Sequence, residues 1–146
     1  MRIINCDKYD KLNFSEYTSF GKVYFNNKHE IDVVLTACRK DVNILKEWFD
    51  TIQIKYDTLE IIGDRLIIYT INGIDLGLQD LSAGEQTLLY MFAYKELGNK
   101  LLVRGLLERL GERLTKVLVE QFKDYDLTIL MIGSALRECT LPYFER

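Results

Sequence analysis

The chain has 146 residues, 48% of them hydrophobic and 28% charged, with a formal net charge of −3. That length suits a single domain with a sizeable core, and the balance of apolar to charged residues excludes a disordered or low-complexity chain. The negative balance supplies no global basic field, so direct nucleic-acid binding is expected to be absent or local.

In chain order, Met1–Cys6, Gly21–Phe25 and Glu30–Thr36 carry β-favouring residues bounded by Asn, Asp or Gly, and each predicts a strand. Residues 7–20 show no clean period. From Asp41 to Tyr56 the pattern is helical: Asp41 is an N-cap residue type, and Val42, Leu45, Trp48, Phe49 and Ile52 recur three or four apart. Leu59–Ile62 and Arg65–Thr70 flank Gly63-Asp64, a hairpin turn pair, and Asn72-Gly73 marks a second turn before Ile74–Leu76. Residues 1–78 thus read as an antiparallel β-rich lobe with one helix.

The character changes near Gln79. Ala83–Leu97 is expected to be an amphipathic helix with Leu88, Leu89, Phe92, Ala93 and Leu97 on one face, stopped by Gly98-Asn99. Lys100–Val103 and Leu127–Ile132 are continuously apolar, as strands buried on both faces are. A long helix over Leu106–Phe122 joins them, so the strands are expected to be parallel with a right-handed crossover. Residues 134–146 read as a short tail. The whole is expected to be one mixed α/β (α+β) domain over residues 1–146, with residues 79–146 as its second lobe.

The most informative stretch is Asp80-Leu81-Ser82-Ala83-Gly84-Glu85-Gln86. A helix starting after Ser82 offers unpaired backbone N–H groups and the positive end of its dipole, Gly84 permits close backbone approach, and a serine hydroxyl can add a bond, a combination suited to phosphate. The same residues are also a capping box, with Ser82 at the N-cap and Glu85 at the third helical position.

This stretch resembles the signature motif of ABC-type ATPases, closest to the SMC-, RecF- and OLD-like branch. The resemblance covers roughly residues 58–137 and is specific around residues 79–97. It implies an ABC-ATPase-like fold in which Leu81, Ser82, Ala83, Gly84, Glu85 and Gln86 contact nucleotide held by a partner rather than by this chain. In that family the strand corresponding to Leu101–Val103 leads into an acidic pair that holds Mg²⁺ and polarises the attacking water. Here those positions are Arg104 and Gly105, and the next carboxylate is Glu108. The D-loop would lie near Leu110-Gly111-Glu112, without its aspartate, and the switch histidine would fall at Gly133 or Ser134. The phosphate loop GxxxxGK[ST] is missing from the sequence; Phe20-Gly21-Lys22-Val23 lacks its first glycine and its hydroxyl. A cradle, a metal and a positioned water supply most of the barrier reduction in phosphoryl transfer, so no ATP hydrolysis by this chain alone is expected.

Other chemistry is thinner. Cys6, Cys38 and Cys139 are odd in number without a CxxC pair, which predicts buried reduced thiols. His29 is the only histidine, so a two-histidine metal site is excluded and a Cys–His nucleophile has no predicted convergence. Tyr17, Phe20, Tyr24, Phe25, Tyr90, Phe92 and Tyr94 fit base stacking or, more plainly, core packing. Arg104, Arg109, Arg113 and Lys116 recur at helical spacing, as a basic stripe or a salt-bridged face diluted by Glu108, Glu112 and Glu120. No apolar run approaches the roughly 18 residues of a membrane span. The amino terminus does not read as a signal peptide, so a cytoplasmic location without membrane association is expected.

Two functions follow as expectations. One is a regulatory or inhibitory subunit that pairs with a P-loop ATPase in DNA-repair or phage-defence machinery, with ATP and Mg²⁺ shared with that partner and none bound alone. The other is a protein-interaction module independent of nucleotide, in which Ser82 and Glu85 only cap a helix.

Overall fold

The computed structural model describes residues 1–5 and 14–131, which form a mixed α/β architecture with four α-helices, a parallel sheet and an antiparallel sheet. Chain contacts divide it into two units, Met1–Lys22 with Gly98–Arg146, and Val23–Leu97.

The first unit is built on four parallel strands: β1 (Arg2–Asn5), β2 (Tyr17–Phe20), β6 (Lys100–Arg104) and β7 (Leu127–Met131), in the order β1-β7-β6-β2. Leu101, Leu102, Val103 and all of β7 are buried, so the continuously apolar runs do mark strands covered on both faces. Helix α4 (Glu112–Phe122) connects β6 to β7 and buries Leu114, Val117, Leu118 and Phe122. It starts later than the expected Leu106: Gly111 is its N-cap, in extended backbone, and residues 107–109 form a turn. A polar brace ties three of the strands, since the Arg2 guanidinium donates to Tyr17 Oη (2.7 Å) and to the buried Thr128 Oγ1 (3.1 Å).

The second unit holds α1 (Lys28–Ala37), α2 (Val42–Ile52), the antiparallel strands β3 (Thr58–Ile62), β4 (Leu66–Ile71) and β5 (Ile74–Gly77), and α3 (Ala83–Glu96). Asp41 caps α2 through Asn43 N–H. Gly63 and Asp64 both take positive φ, and Arg65 N–H donates to Ile62 C=O at 3.2 Å, closing the expected β3–β4 turn. Asn72 and Gly73 do the same between β4 and β5. Leu59, Ile67 and Tyr69 turn to the core, where Phe49 of α2 meets Tyr69 edge-on at 5.6 Å. Helices α1 and α2 both pack against α3.

The β-rich lobe with one helix expected over residues 1–78 is corrected on three points. Glu30–Thr36 lies inside helix α1, not a strand, because Asn27 Oδ1 caps Glu30 N–H and Val34, Leu35 and Ala37 are buried on one side. Gly21–Phe25 is not a strand either; β2 ends at Phe20. The strands of residues 1–20 belong to the parallel sheet rather than to an antiparallel one. Helix α3 also departs from its expected single apolar face: residues 86–93 are buried all round, whereas Leu97 is exposed.

Between α1 and α2, Arg39 and Lys40 both hold positive φ (57° and 53°), while Lys40 N–H reaches back to Leu35 C=O. Each non-glycine residue in this region carries local strain. Lys40→Gly is therefore expected to raise stability by about 1 kcal/mol, after the greater unfolded-state freedom of glycine is subtracted. Urea denaturation checks this, and a loss of stability would show that the lysine side chain matters more than the backbone.

Candidate functional site

The signature-like residues cluster at the start of α3, led in by a 3-10 turn at Leu78–Asp80. Ser82 is the N-cap with extended backbone; its Oγ accepts from Glu85 N–H (3.2 Å), and Ser82 N–H donates to Glu85 Oε1 (3.1 Å). The capping box is thus formed in full. Gln86 N–H donates to Ser82 C=O at 2.9 Å, so the helix ladder begins there. Ser82 and Ala83 are exposed, Glu85 is half-buried, and Leu81, Gly84 and Gln86 are buried.

What this geometry can do follows directly. Ala83 and Gly84, the first two helical residues, have no intrahelical acceptor for their N–H groups. The Ser82 hydroxyl spends a lone pair on Glu85 and keeps its proton to donate. Both features suit an anion arriving from outside. The Glu85 carboxylate occupies the same end and offsets part of the dipole's positive potential, so the motif by itself is a weak anion site.

Gln86 has a role that its place in the motif did not suggest. Its side chain is 5% exposed, and Nε2 donates to both Gln79 C=O (3.1 Å) and Leu81 C=O (3.0 Å). It therefore ties the 3-10 turn to the helix and sets the approach to Ser82. Its Oε1 is buried without a hydrogen-bond partner. A glutamine at a helix start, between Glu85 and Thr87, reads as surface, and no local signal in the sequence marks its burial.

In the other unit, Arg104 ends β6 and Gly105 follows with φ 64°, its N–H on Leu130 C=O. These are the positions at which the resemblance requires carboxylates. Arg109 lies in the turn before α4 and donates from Nη1 to Gly21 C=O at 2.7 Å. The four cations read at helical spacing, as a basic stripe or a salt-bridged face, do not share one helix: Arg104 and Arg109 lie outside α4, Arg113 and Lys116 on it, and Lys116 pairs with Glu112 at 3.4 Å, as in a salt-bridged face. No glycine occurs in the segment after β1, Cys6 to Asn13, and the segment after β2 is the incomplete Gly21-Lys22.

Of the remaining candidates, Cys38 is a buried free thiol whose pKa burial pushes upward, and His29 is exposed on α1. Cys6, Cys139 and the switch position at residues 133–134 lie outside the described residues. Phe25, Tyr90 and Phe92 are core; Phe25 meets Tyr90 edge-on at 5.9 Å. Burial, helped by the hydrogen bond with Tyr94, raises the Tyr90 phenol above its ordinary range. Among the described residues no cluster of His, Cys, Asp or Glu is arranged to hold a metal ion, and no helix is long and apolar enough to cross a membrane. No family model matches the chain, and no curated protein matches it.

Proposed function

We propose that this chain is a non-catalytic, ABC-ATPase-like protein that associates with a partner ATPase and sets Ser82 and Gly84 against the partner's nucleotide, as a regulatory or inhibitory subunit in DNA-repair or phage-defence machinery. The observation that carries the reading is the order of parts. The motif opens α3 with Ser82 and Ala83 exposed, and α3 is followed by β6, α4 and β7, with β6 and β7 parallel neighbours. In open parallel sheets ligands gather beyond the carboxyl ends of the strands. Here that edge has Arg104 and Gly105 in place of an acidic pair, and the sequence after β1 and after β2 carries no GxxxxGK[ST] pattern. A chain that keeps only the signature must borrow its ATP and Mg²⁺, so it does not hydrolyse ATP alone.

The test is capture on the tagged chain from its own cells, with and without a non-hydrolysable ATP analogue. Recovery of a P-loop ATPase only with the analogue is expected. Ser82→Arg is expected to weaken that capture by at least about tenfold, because it removes a hydrogen bond to a charged group and fills the approach. The fold survives, since Ser82 is exposed and its cap is worth about 1 kcal/mol. Capture indifferent to both nucleotide and substitution would overturn the proposal. One observation favours a second reading, a nucleotide-independent interaction module: the closed Ser82–Glu85 capping box accounts for both residues without a ligand.

A further inference from the structure

We infer that the free edge of β3 takes up an extended peptide as a fourth strand, with carboxylate side chains directed at Lys40 and Lys46 and cationic side chains beside Glu60. The sheet order is β3-β4-β5, so among the described residues β3 is paired on one side only. An edge strand directs the N–H and C=O groups of alternate residues away from its neighbour, where a further strand can bond them.

What lies along that edge is a hollow of about 560 Å³, lined on one side by residues 57–61 in unbroken succession and by Asp64 of the following turn, and on the other by Lys40, Val42 and Lys46. Consecutive lining residues mean that the strand's edge, rather than one of its faces, forms the wall. The volume lies within the roughly 300–1,000 Å³ of ordinary ligand sites. Strand addition of this kind draws affinity from main-chain bonds and specificity from alternate side chains.

The charges select the occupant. Lys40 and Lys46 form no ion pair among the described residues. Lys40 is held there by a connection with two successive left-handed residues, and Lys46 is half-buried on α2. On the strand side, Asp57 Oδ2 already accepts from Asn72 N–H at 2.7 Å. Glu60 is exposed, opposite Ile68 and beside Thr58 on the outer face of the sheet. Successive side chains of an added strand point to opposite faces. The complementary peptide therefore alternates, acid toward the helix wall and base toward Glu60. A second copy of this chain is a poor occupant, because pairing about the centre of β3 sets Glu60 against Glu60.

The experiment uses a fluorescein-labelled octapeptide of alternating Glu and Lys, with a control of identical composition arranged in two blocks. Fluorescence anisotropy is expected to show the alternating peptide binding at least about tenfold tighter than the block control. Lys46→Glu is expected to weaken it by about tenfold at low salt, and Lys46→Arg to leave it within about twofold. Hydrogen exchange followed by NMR is expected to slow on binding at alternate backbone amides of residues 58–62, those turned away from β4. Equal binding of the two peptides, or binding without protection in β3, would overturn strand addition. Self-association through these same amides in sedimentation would assign the edge to a second copy instead. Nothing in this test involves Ser82 or nucleotide, so it stands or falls separately from the ATPase reading.

Discussion

Phe49→Ala is expected to remove about 3–5 kcal/mol of stability, a large part of what holds an ordinary domain together. Phe49 is fully buried on α2 and meets Tyr56 and Tyr69 edge-on, at 5.7 Å and 5.6 Å. The loss combines the transfer free energy of the ring, the cavity left between helix and sheet, and two aromatic contacts worth about 0.5–1.5 kcal/mol each beyond their area. Because α2 and β4 are joined through this ring, the substitution loosens the helix on the sheet and with it the Lys46 side of the β3 hollow. Phe49→Leu keeps most of the volume and is expected to cost only about 1–1.5 kcal/mol. Denaturant midpoints for the two variants decide the matter. Equal losses would show that ring packing, rather than filled volume, carries the contribution.

The parts of the fold legible in the sequence are those fixed by local chemistry. Gly63-Asp64 and Asn72-Gly73 need positive φ at both turn residues, and all four have it. Asp41 and Ser82 cap α2 and α3 because a short side-chain oxygen at that position satisfies a first-turn N–H. The short apolar runs of β6 and β7, bounded by turn residues, read as strands covered on both faces, and they are. Helix α1 was illegible by period because Ile31, Val33, Val34 and Thr36 have β-favouring side chains. Tertiary packing on α3 overrides that preference, and the Asn27–Glu30 cap was the available sign. The late start of α4 has a similar cause. Leu106, Leu107 and Leu110 continue the helical spacing, but Leu106 is buried from the turn before Gly111 rather than from the helix.

The candidate site was legible as a motif and not as an arrangement. Ser82 and Glu85 stand where the capping box places them, since their geometry is set within four residues. The hollow beside β3 joins residues 40–46 to residues 57–64, and no spacing rule connects them. The burial of Gln86 likewise depends on what surrounds α3, which the sequence leaves unstated.

Gln86→Glu is expected to cost about 3–5 kcal/mol near neutral pH, and the loss should depend on pH. The present side chain donates from Nε2 to two backbone carbonyls, Gln79 C=O and Leu81 C=O, in a nearly dry position. A carboxylate there has no proton to give and sets its charge against two carbonyl oxygens. Protonation restores one donor, so the folded state favours the acid form and raises the group's pKa above the unfolded value of about 4.3. The sign follows by linkage: with a raised folded pKa, the deficit relative to the parent chain is smallest below about pH 4.3 and grows as pH rises through the folded value. Gln86→Leu behaves differently. It loses both bonds but also removes the unpartnered Oε1, and the two effects partly cancel, leaving a cost of about 1–2 kcal/mol that does not vary with pH. Urea titrations of both variants from pH 4 to pH 8 separate these outcomes. A pH-independent loss for Gln86→Glu would mean that solvent reaches the side chain and that the brace before Ser82 opens to water. If the pH dependence is found, nucleotide-dependent capture by the Gln86→Leu variant then asks whether that brace must be intact for the proposed contact between Ser82 and a partner's phosphate.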